Sequence, residues 1–252
     1  MSTIHFVLQG KGGVGKTLTS SFLMQYLGSY DDSLLGIDTD SVNHTLSQYK
    51  SYNIKEYNIY RPETSYLDES VIEEMAESIY ESPHKNIVID NGASSFVPLL
   101  QYLTSNNIIP LLQEAGHQIY IHTVITGGQG LEDTAGGLRT ILGSFTDVQI
   151  ITWLNFKFGD IEMGGKPFEE WPIYKNHKDR IAAFIPVDFQ QGQLFQEDLE
   201  FMLSGKLTFD EAMAQSKLFS RNRLKQMKKH IFDLIEATEL PCFADNAGSD
   251  NV

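Results

Sequence analysis

The chain has 252 residues, of which 41% are hydrophobic and 21% are charged, as expected for a globular chain that can bury a sizeable core. Its single cysteine, Cys242, excludes an internal disulfide and a metal centre built on several cysteines of this chain. The net charge of −14, from 33 acidic and 19 basic residues, argues against a protein that binds nucleic acid over its whole surface, although a local basic patch could still do so.

No apolar run approaches the roughly 20 residues that cross a bilayer, so we expect no stable membrane insertion. The first residues, Met1 to His5, lack the basic stretch and the long apolar core of a signal peptide. Together with the cysteine content, these features favour a cytoplasmic protein.

Apolar runs of strand length alternate with segments of helical period, a pattern typical of an α/β fold in which helices flank both faces of a mainly parallel sheet. The first predicted strand, Ile4 to Leu8, ends in a glycine-rich loop. A helix with Leu18, Phe22 and Tyr26 on one face is predicted directly after that loop. The other predicted strands are Leu34 to Ile37, Asn86 to Ile89, Ile119 to Ile125, Val148 to Leu154 and Ala183 to Ile185.

Two further helical regions have recognisable N-caps. Thr208 precedes a region whose helical period resumes at Leu224 and continues to Leu234. Asp68 precedes a helix that should end before Pro83. The predicted apolar face of that second helix consists of Val71, Ile72, Met75, Ile79 and Tyr80.

The chain is predicted to form a single domain over residues 1–243. Within it, residues 156–180 mix glycines with aromatic and charged residues, and we interpret them as a surface excursion. Residues 244–252 are polar and acidic, and are predicted to be a disordered tail.

The strongest motif is the glycine-rich loop between the first strand and the first helix. It satisfies the pattern G-x-x-x-x-G-K-[ST] and reads Gly10-Lys11-Gly12-Gly13-Val14-Gly15-Lys16-Thr17. Glycines allow the backbone to fold closely around phosphate oxygens, and the positive end of the following helix favours the same anion. Lys16 is predicted to reach the β- and γ-phosphates of a nucleotide, and the Thr17 hydroxyl is predicted to bind Mg²⁺.

A second lysine, Lys11, gives this loop the form Lys-Gly-Gly-Val-Gly-Lys-Thr, which resembles the deviant Walker A loop of the MinD/ParA family of P-loop ATPases. The resemblance implies a three-layer P-loop NTPase fold. In that family the early lysine reaches the phosphates bound by the partner of a face-to-face dimer. The resemblance therefore implies that Lys11 does the same and that ATP binding drives homodimerisation. The alternative is a solvated loop lysine.

Phosphoryl transfer in P-loop proteins also needs a carboxylate for magnesium and a group that orients the attacking water. Asp38 and Asp90 follow predicted strands directly, and Asp40 stands two residues after Asp38. The family resemblance implies that Asp40 positions water, that Asp38 supports the magnesium shell and that Asp90 holds the ion through water. Each aspartate could instead cap the turn after its strand.

The segment after Asp90 departs from the family, which commonly continues as Asp-Thr-Pro-Pro. Here it reads Asp90-Asn91-Gly92-Ala93-Ser94-Ser95. We therefore expect a second switch loop of different shape.

Asn155 ends a predicted strand where the family keeps an asparagine against adenine. The later segment Ile185-Pro186-Val187-Asp188 resembles the one that covers the adenine ring. Guanine-specific relatives carry Asn-Lys-x-Asp, a pattern that is absent after Asn155. The predicted cofactors are therefore ATP and Mg²⁺, with Asn155 and Pro186 as adenine contacts, and the alternative for Asn155 is a turn residue.

Four segments resemble one branch of the family, the TraL-type conjugal transfer proteins of broad-host-range plasmids. They begin at Val7, Ile89, His122 and Leu207 and keep their order. This resemblance implies a plasmid-encoded ATPase with a protein partner in the transfer or partition machinery. It also makes Thr126-Gly127-Gly128-Gln129 a candidate loop facing the nucleotide or the dimer partner, the alternative being a flexible turn.

Residues 217–230 contain six of the 19 basic residues and no acidic one. This stretch predicts a helix with a solvated basic face, a patch for DNA phosphates as in ParA relatives, or a membrane-surface helix like that of MinD. The absence of tryptophan from its apolar stripe argues against the membrane. The basic residues are Lys217, Arg221, Arg223, Lys225, Lys228 and Lys229.

Three functions fit these observations. The first is a slowly hydrolysing, Mg-ATP-dependent dimerisation switch in conjugal DNA transfer, in which a partner stimulates hydrolysis. The second is an adaptor that binds ATP with negligible turnover. The third is a plasmid-partition ATPase that binds DNA nonspecifically.

Overall fold

The computed structural model describes residues 1–41, 43–61, 66–188 and 192–244, and only the backbone of Ala244. The predicted tail beyond Ala244 lies outside this part of the chain. The strands are β1 (Thr3–Val7), β2 (Leu34–Asp38), β3 (Ile54–Glu56), β4 (Asn86–Asp90), β5 (Gln118–Thr126), β6 (Gln149–Asn155), β7 (Glu162–Met163), β8 (Lys166–Pro167) and β9 (Ile181–Val187). The α-helices are α1 (Lys16–Gly28), α2 (Glu69–Tyr80), α3 (Phe96–Ser105), α4 (Ile108–Glu114), α5 (Leu131–Ser144), α6 (Pro172–Asn176), α7 (Gly192–Ser204), α8 (Phe209–Gln215), α9 (Leu218–Glu236) and α10 (Pro241–Ala244).

A seven-stranded parallel sheet with the order β3-β2-β4-β1-β5-β6-β9 organises the molecule. Strand β1 lies at its centre, and Val7 at the end of β1 pairs with Asp90 of β4 and with His122 of β5. The carboxyl ends of parallel strands meet at one edge. The loop after β1 therefore meets Asp38, Asp90 and Asn155 there. This arrangement confirms the predicted fold.

Alternate residues of the central strands face opposite layers of helices. Ile4 and Phe6 pack with α2 to α5 on one face, and Val7 packs with α1 and α7 to α10 on the other. The sheet is therefore the middle of three layers, each interface holding an apolar core. Among the described helices, none is both long and apolar enough to cross a membrane.

Both predicted N-caps stand at the start of a helix. The Thr208 hydroxyl accepts a hydrogen bond from the Glu211 N–H at 3.2 Å, and the Glu211 carboxylate accepts one from the Thr208 N–H at 2.8 Å, which completes a capping box on α8. Asp68 precedes α2, but its carboxylate accepts from the Ser70 hydroxyl at 2.6 Å. The placement of Tyr80 on the apolar face is wrong, because it lies at the flank of the buried stripe and is 51% exposed. The buried stripe consists of Ile72, Met75 and Ile79.

Residues 156–180 connect β6 to β9 and contain the two-stranded hairpin β7–β8 and helix α6. Two aromatic side chains of this connection, Phe168 and Trp171, are buried in the core that α2 to α5 share with the sheet. The Trp171 indole N–H also donates to the Lys166 carbonyl at 2.9 Å. Aromatic packing therefore anchors this segment to the domain.

A chain of buried polar rings crosses the centre of the sheet on the α1 side. The Trp153 indole N–H donates to His122 Nδ1 at 2.9 Å, so the proton of a neutral His122 ring sits on Nε2. That Nε2 lies 2.9 Å from His5 Nδ1 and donates to it. The His5 ring is stacked between Phe243 of α10 and Tyr120 of β5. Burial lowers the pKa of His5 to about 3 and also lowers the pKa of His122, so both rings are neutral in the fold.

Because both histidines are neutral in the fold, we expect acid to destabilise the protein. Below the ordinary pKa of 6.5 the unfolded chain binds protons that the folded chain does not, so the free energy of unfolding should fall as the pH decreases from about 6.5 towards about 3. Urea denaturation at a series of pH values measures this slope. His5→Phe, which keeps an aromatic ring and removes one titrating group, should give a shallower slope than wild type.

The control is Phe22→Leu, which alters another buried ring but removes no titrating group and should keep the wild-type slope. Equal slopes for wild type and His5→Phe would contradict the assignment of neutral buried rings.

Candidate functional site

The phosphate loop begins where β1 ends and closes at the first turn of α1. Gly13 and Gly15 have φ values of 75° and 107°, a left-handed backbone that favours glycine. Gly15 is also the N-cap residue of α1, so the helix starts inside the loop and directs its free N–H groups into the cleft. The sequence therefore folds locally into an anion-binding cradle.

The Lys16 side chain lies inside this cradle. The residue is 8% exposed, and its ammonium donates to the Lys11 carbonyl oxygen at 3.0 Å. Burial lowers the pKa of Lys16, while the nearby carboxylates of Asp90 and Asp40 raise it. The cleft beside it has a volume of about 500 Å³ and is lined by Gly12, Gly13, Gly15, Lys16, Thr17, Leu18, Asp40, Asn43, Thr45, Ala93 and Ser94.

Asp90 and Thr17 form the predicted magnesium pair. The Thr17 hydroxyl donates to Asp90 Oδ2 at 2.6 Å, and the Ser20 hydroxyl, one turn further along α1, donates to Oδ1 at 2.9 Å. Asp90 is 1% exposed, and burial raises its pKa to about 7, although both hydroxyls lower it. A buried carboxylate beside a hydroxyl is an all-oxygen donor set of the kind that Mg²⁺ prefers. The residues therefore fit this ion.

Asp38 and Asp40 occupy different positions. The Asp38 carboxylate is fully buried and accepts from the backbone N–H groups of Asp40 and Ser47, both at 3.0 Å. Burial raises its pKa. Asp40 lines the cleft, and its carboxylate accepts from the Asn43 backbone N–H at 3.2 Å. Asp38 thus fixes the backbone that presents Asp40, and its contact with a magnesium shell stays a prediction.

The loop after Asp90 is tied by side chains where the family commonly has Thr-Pro-Pro. The Asn91 amide oxygen accepts from the Thr39 hydroxyl at 3.0 Å and from the Ser95 hydroxyl at 2.8 Å. The backbone of Gly92 passes so close to Asp40 that an added Cβ would lie 3.1 Å from the Asp40 carboxyl carbon. These contacts join the two carboxylate-bearing loops into one wall of the cleft.

Lys11 extends from the opposite end of the phosphate loop towards helix α5. Its ammonium lies 2.8 Å from Asp133 Oδ2, and the two side chains are 44% and 58% exposed. Lys16 and Lys11 therefore point to different places, one inside the cradle and one at the surface. Asp133 was not among the predicted site residues, and only the fold brings it to this lysine.

Asn155 lies behind the phosphate loop. Its Nδ2 donates to the Val14 carbonyl at 2.9 Å, and its Oδ1 accepts from the Lys157 N–H at 3.1 Å. Pro186 pairs with Leu154 on the neighbouring strand and lines a separate apolar cavity of about 200 Å³ beside hairpin β7–β8. The structure thus brings Asn155 to the loop and places Pro186 in another cavity, and their roles as adenine contacts stay predictions.

The loop Thr126-Gly127-Gly128-Gln129 packs against the turn at residues 158–160. The space where a Cβ of Gly127 would lie is filled by the Gly159 and Asp160 carbonyl oxygens. The Thr126 hydroxyl donates to the Asn155 carbonyl at 3.1 Å, which joins this loop to the strand that carries Asn155. Gln129 is exposed at its tip.

Residues 5–231 match the family model described as the CobQ/CobB/MinD/ParA nucleotide binding domain. The chain belongs to this family. Protein TraL of Escherichia coli is 40% identical over 241 residues, which cover 94% of this chain and 98% of the relative. This match confirms the TraL resemblance that the four segments beginning at Val7, Ile89, His122 and Leu207 indicated.

Two solved structures match most of the chain at low sequence identity. A chain of the MinC:MinD cell division protein complex of Aquifex aeolicus is 14% identical, with a TM-score of 0.48, and the match covers 92% of this chain and 96% of that one. A plasmid partition protein from Borrelia burgdorferi bound to AMPPNP is 14% identical, with a TM-score of 0.49, and the match covers 94% and 99%.

For this member of the CobQ/CobB/MinD/ParA family, Asn155→Ala should weaken ATP binding more than GTP binding. Loss of the hydrogen bond to the Val14 carbonyl should lower the affinity for both nucleotides by about fivefold, because the phosphate loop is held less firmly. Loss of the predicted adenine contact should lower the affinity for ATP further. Titration with both nucleotides measures the two affinities.

The exposed neighbouring change Lys157→Ala should leave both affinities as in wild type. An equal loss for ATP and GTP in Asn155→Ala would show that the residue holds the loop and does not read the base.

Proposed function

We propose that the protein is a Mg-ATP-dependent dimerisation switch that hydrolyses ATP slowly. The observation that supports it best is the convergence, in one cleft, of the buried Lys16 ammonium, the Thr17–Asp90 pair and the Asp40 carboxylate. A phosphate-binding cation, a magnesium-binding pair and a water-orienting carboxylate are the parts that P-loop phosphoryl transfer requires.

In this proposal each side chain has one task. Lys16 binds the β- and γ-phosphates, and its partial burial strengthens that electrostatic interaction. Thr17 and Asp90 hold the magnesium ion, which neutralises charge on the phosphates when bound. Asp40 orients the attacking water, and Asp38 holds the loop that carries Asp40. Asn155 and Pro186 contact the adenine ring.

Lys11 is the residue through which two copies would recognise each other's nucleotide. It lies at the surface and is held by Asp133 of its own chain, so its ammonium is available to a facing protomer once that pair opens. An exposed ion pair of this kind contributes only about 0–1 kcal/mol, so a partner's phosphates can displace it.

The cellular process is inferred from the relatives. The match to protein TraL and the resemblance to plasmid transfer proteins support a plasmid-encoded ATPase that acts in conjugal DNA transfer. Its partner would then be another protein of the transfer or partition machinery, and partner binding would stimulate hydrolysis. A cytoplasmic location follows from this role.

The contacts of helix α9 do not favour the DNA-binding alternative. Arg223 pairs with Asp198 at 2.5 Å, and Lys228 pairs with Asp210 at 2.8 Å. Arg221 donates to the carbonyl oxygens at the end of α8, and Lys229 pairs with Asp233 within α9. In the described ranges, three of the six predicted patch residues are thus paired with carboxylates of this chain, so the patch offers less net positive charge to DNA phosphates than the sequence alone indicates.

Asp40→Ala should abolish ATP hydrolysis while ATP binding changes by less than about twofold. Removal of a group that orients the water costs roughly 100-fold or more in rate, whereas the phosphates are held by the loop. Phosphate release and nucleotide titration measure the two effects, and the exposed Asp32→Ala is the control that should change neither.

If wild type and Asp40→Ala released phosphate equally slowly, the adaptor with negligible turnover would replace the switch.

Wild-type protein should sediment as a dimer with Mg-ATP and not without nucleotide. Lys11→Ala should stay monomeric with Mg-ATP although it binds the nucleotide, because the lysine that reaches the partner's phosphates is missing. Asp133→Asn is the matched control: it removes the intrachain partner of Lys11, keeps the lysine and should still dimerise.

An unchanged mass with bound Mg-ATP in wild type would refute the dimerisation switch and leave a monomeric nucleotide-binding module.

A further inference from the structure

The side chain of Gln9, the residue before the phosphate loop, occupies a place in the sheet where a backbone hydrogen bond is expected. The Leu8 N–H donates to the His122 carbonyl at 2.8 Å, as in any parallel ladder. The next bond that this strand would donate in such a ladder would join the Gly10 N–H to the Val124 carbonyl. Instead, the Gln9 Oε1 accepts from the Gly10 N–H at 2.8 Å, and its Nε2 donates to the Val124 carbonyl at 2.9 Å.

The Gln9 amide thus stands between two strands that separate at this point. It has the same donor and acceptor as a peptide unit, so β1 can leave β5 and enter the phosphate loop while the Gly10 N–H and the carbonyl of the buried Val124 both keep a partner. The side chain is fully buried, which makes each of these hydrogen bonds expensive to lose.

Helix α5 is shaped to receive the same amide. Gln9 Nε2 also donates to the Thr134 carbonyl in the first turns of α5 at 3.1 Å. One turn later, a Cβ on Gly137 would lie 2.1 Å from Gln9 Oε1, so only glycine leaves room for the amide. The adjacent Gly136 has no atom within 4 Å of the position of an added Cβ. Position 137, and not the helix in general, therefore requires glycine.

We propose that Gln9 is a positioning residue that fixes the first peptide of the phosphate loop to β5 and α5, and that Gly137 maintains this position. The inference rests on the proposed nucleotide-binding function, which it deepens. It makes α5 a structural support of the nucleotide site: the helix that holds Lys11 through Asp133 also holds the start of the loop through Thr134.

The experiment compares two ways of disturbing Gln9 with matched controls. Gln9→Met keeps the volume and removes the hydrogen bonds, and Gly137→Ala displaces the amide without changing the loop. Each should weaken Mg-ATP binding by about tenfold, measured by titration of the folded variants. Gly136→Ala should bind as wild type does. Gln25→Met is the second control. Gln25 is also buried, but its amide oxygen accepts from the Phe209 N–H at 2.7 Å, far along α1 from the phosphate loop.

Two further measurements distinguish a loss of overall stability from a change in the phosphate loop. Gln9→Met and Gln25→Met should both lower the urea midpoint, but only Gln9→Met should speed amide hydrogen exchange in residues 10–17 of the nucleotide-free protein. In the Gln9→Ala background, Gly137→Ala should cause no further loss of affinity, because the three atoms nearest to the new Cβ belong to the amide that Gln9→Ala removes.

Wild-type affinity together with wild-type exchange in both Gln9→Met and Gly137→Ala would overturn the proposal. So would additive losses in the double variant, which would show that Gly137→Ala acts independently of Gln9. If wild type itself failed to bind Mg-ATP while exchange in residues 10–17 rose only in Gln9→Met and Gly137→Ala, the proposed function would fail and the positioning role of Gln9 would stand.

Discussion

The burial of the Asp90 carboxylate is the constraint on which the nucleotide site depends. A carboxylate that is 1% exposed is costly to ionise, and its raised pKa of about 7 expresses that cost. The Thr17 and Ser20 hydroxyls and the Lys16 ammonium offset the cost, and all three come from the first two turns of α1. They can do so only because β1 pairs with β4 in a register that brings Val7 beside Asp90. The central strand pairing thus creates the site by bringing the Asp90 carboxylate to the start of α1.

The side chains around this carboxylate have two kinds of position. Some face the cleft, and others hold the cleft-facing side chains and the phosphate loop in place. Asp40 lines the cleft, whereas Asp38 accepts hydrogen bonds from the backbone N–H groups of Asp40 and Ser47 and so holds the loop that carries Asp40. Lys16 lies in the loop, whereas Gln9 and Asn155 fix the loop from behind through the Gly10 N–H and the Val14 carbonyl. Rigid support of this kind keeps the donors at fixed positions, which is how an electrostatic site gains strength over water.

The sequence predicted the central strands, the phosphate loop and the aspartates because these features are local. A strand followed by glycines and a helix can be recognised from adjacent residues, and parallel strands necessarily bring their carboxyl ends together. The Lys11–Asp133 pair and the Gln9–Gly137 contact join residues 122 and 128 positions apart, and no periodicity in either segment indicates them. Gln9 is a polar residue that follows an apolar strand, and Gly137 is a glycine in the interior of helix α5, so the reason for each is visible only in the fold. The basic stretch at 217–230 was visible in the sequence, but the acidic partners that neutralise Arg223 and Lys228 come from other helices.

The two lysines of the loop differ in how firmly the fold holds them, and this difference suits a switch. Lys16 is buried between the Lys11 carbonyl and the carboxylates of Asp90 and Asp40, so binding a phosphate there replaces contacts within a preformed site. The Lys11–Asp133 pair is largely exposed and therefore weak, so opening it costs little. In the proposed switch, a nucleotide held by Lys16 in one protomer would then compete for Lys11 of another, provided that α5 keeps the loop in register. Helix α5 contacts the start of the loop through Gln9 and the Lys11 ammonium through Asp133. In the proposed switch, the phosphate cradle and the lysine that would reach the partner's nucleotide are therefore supported by the same helix.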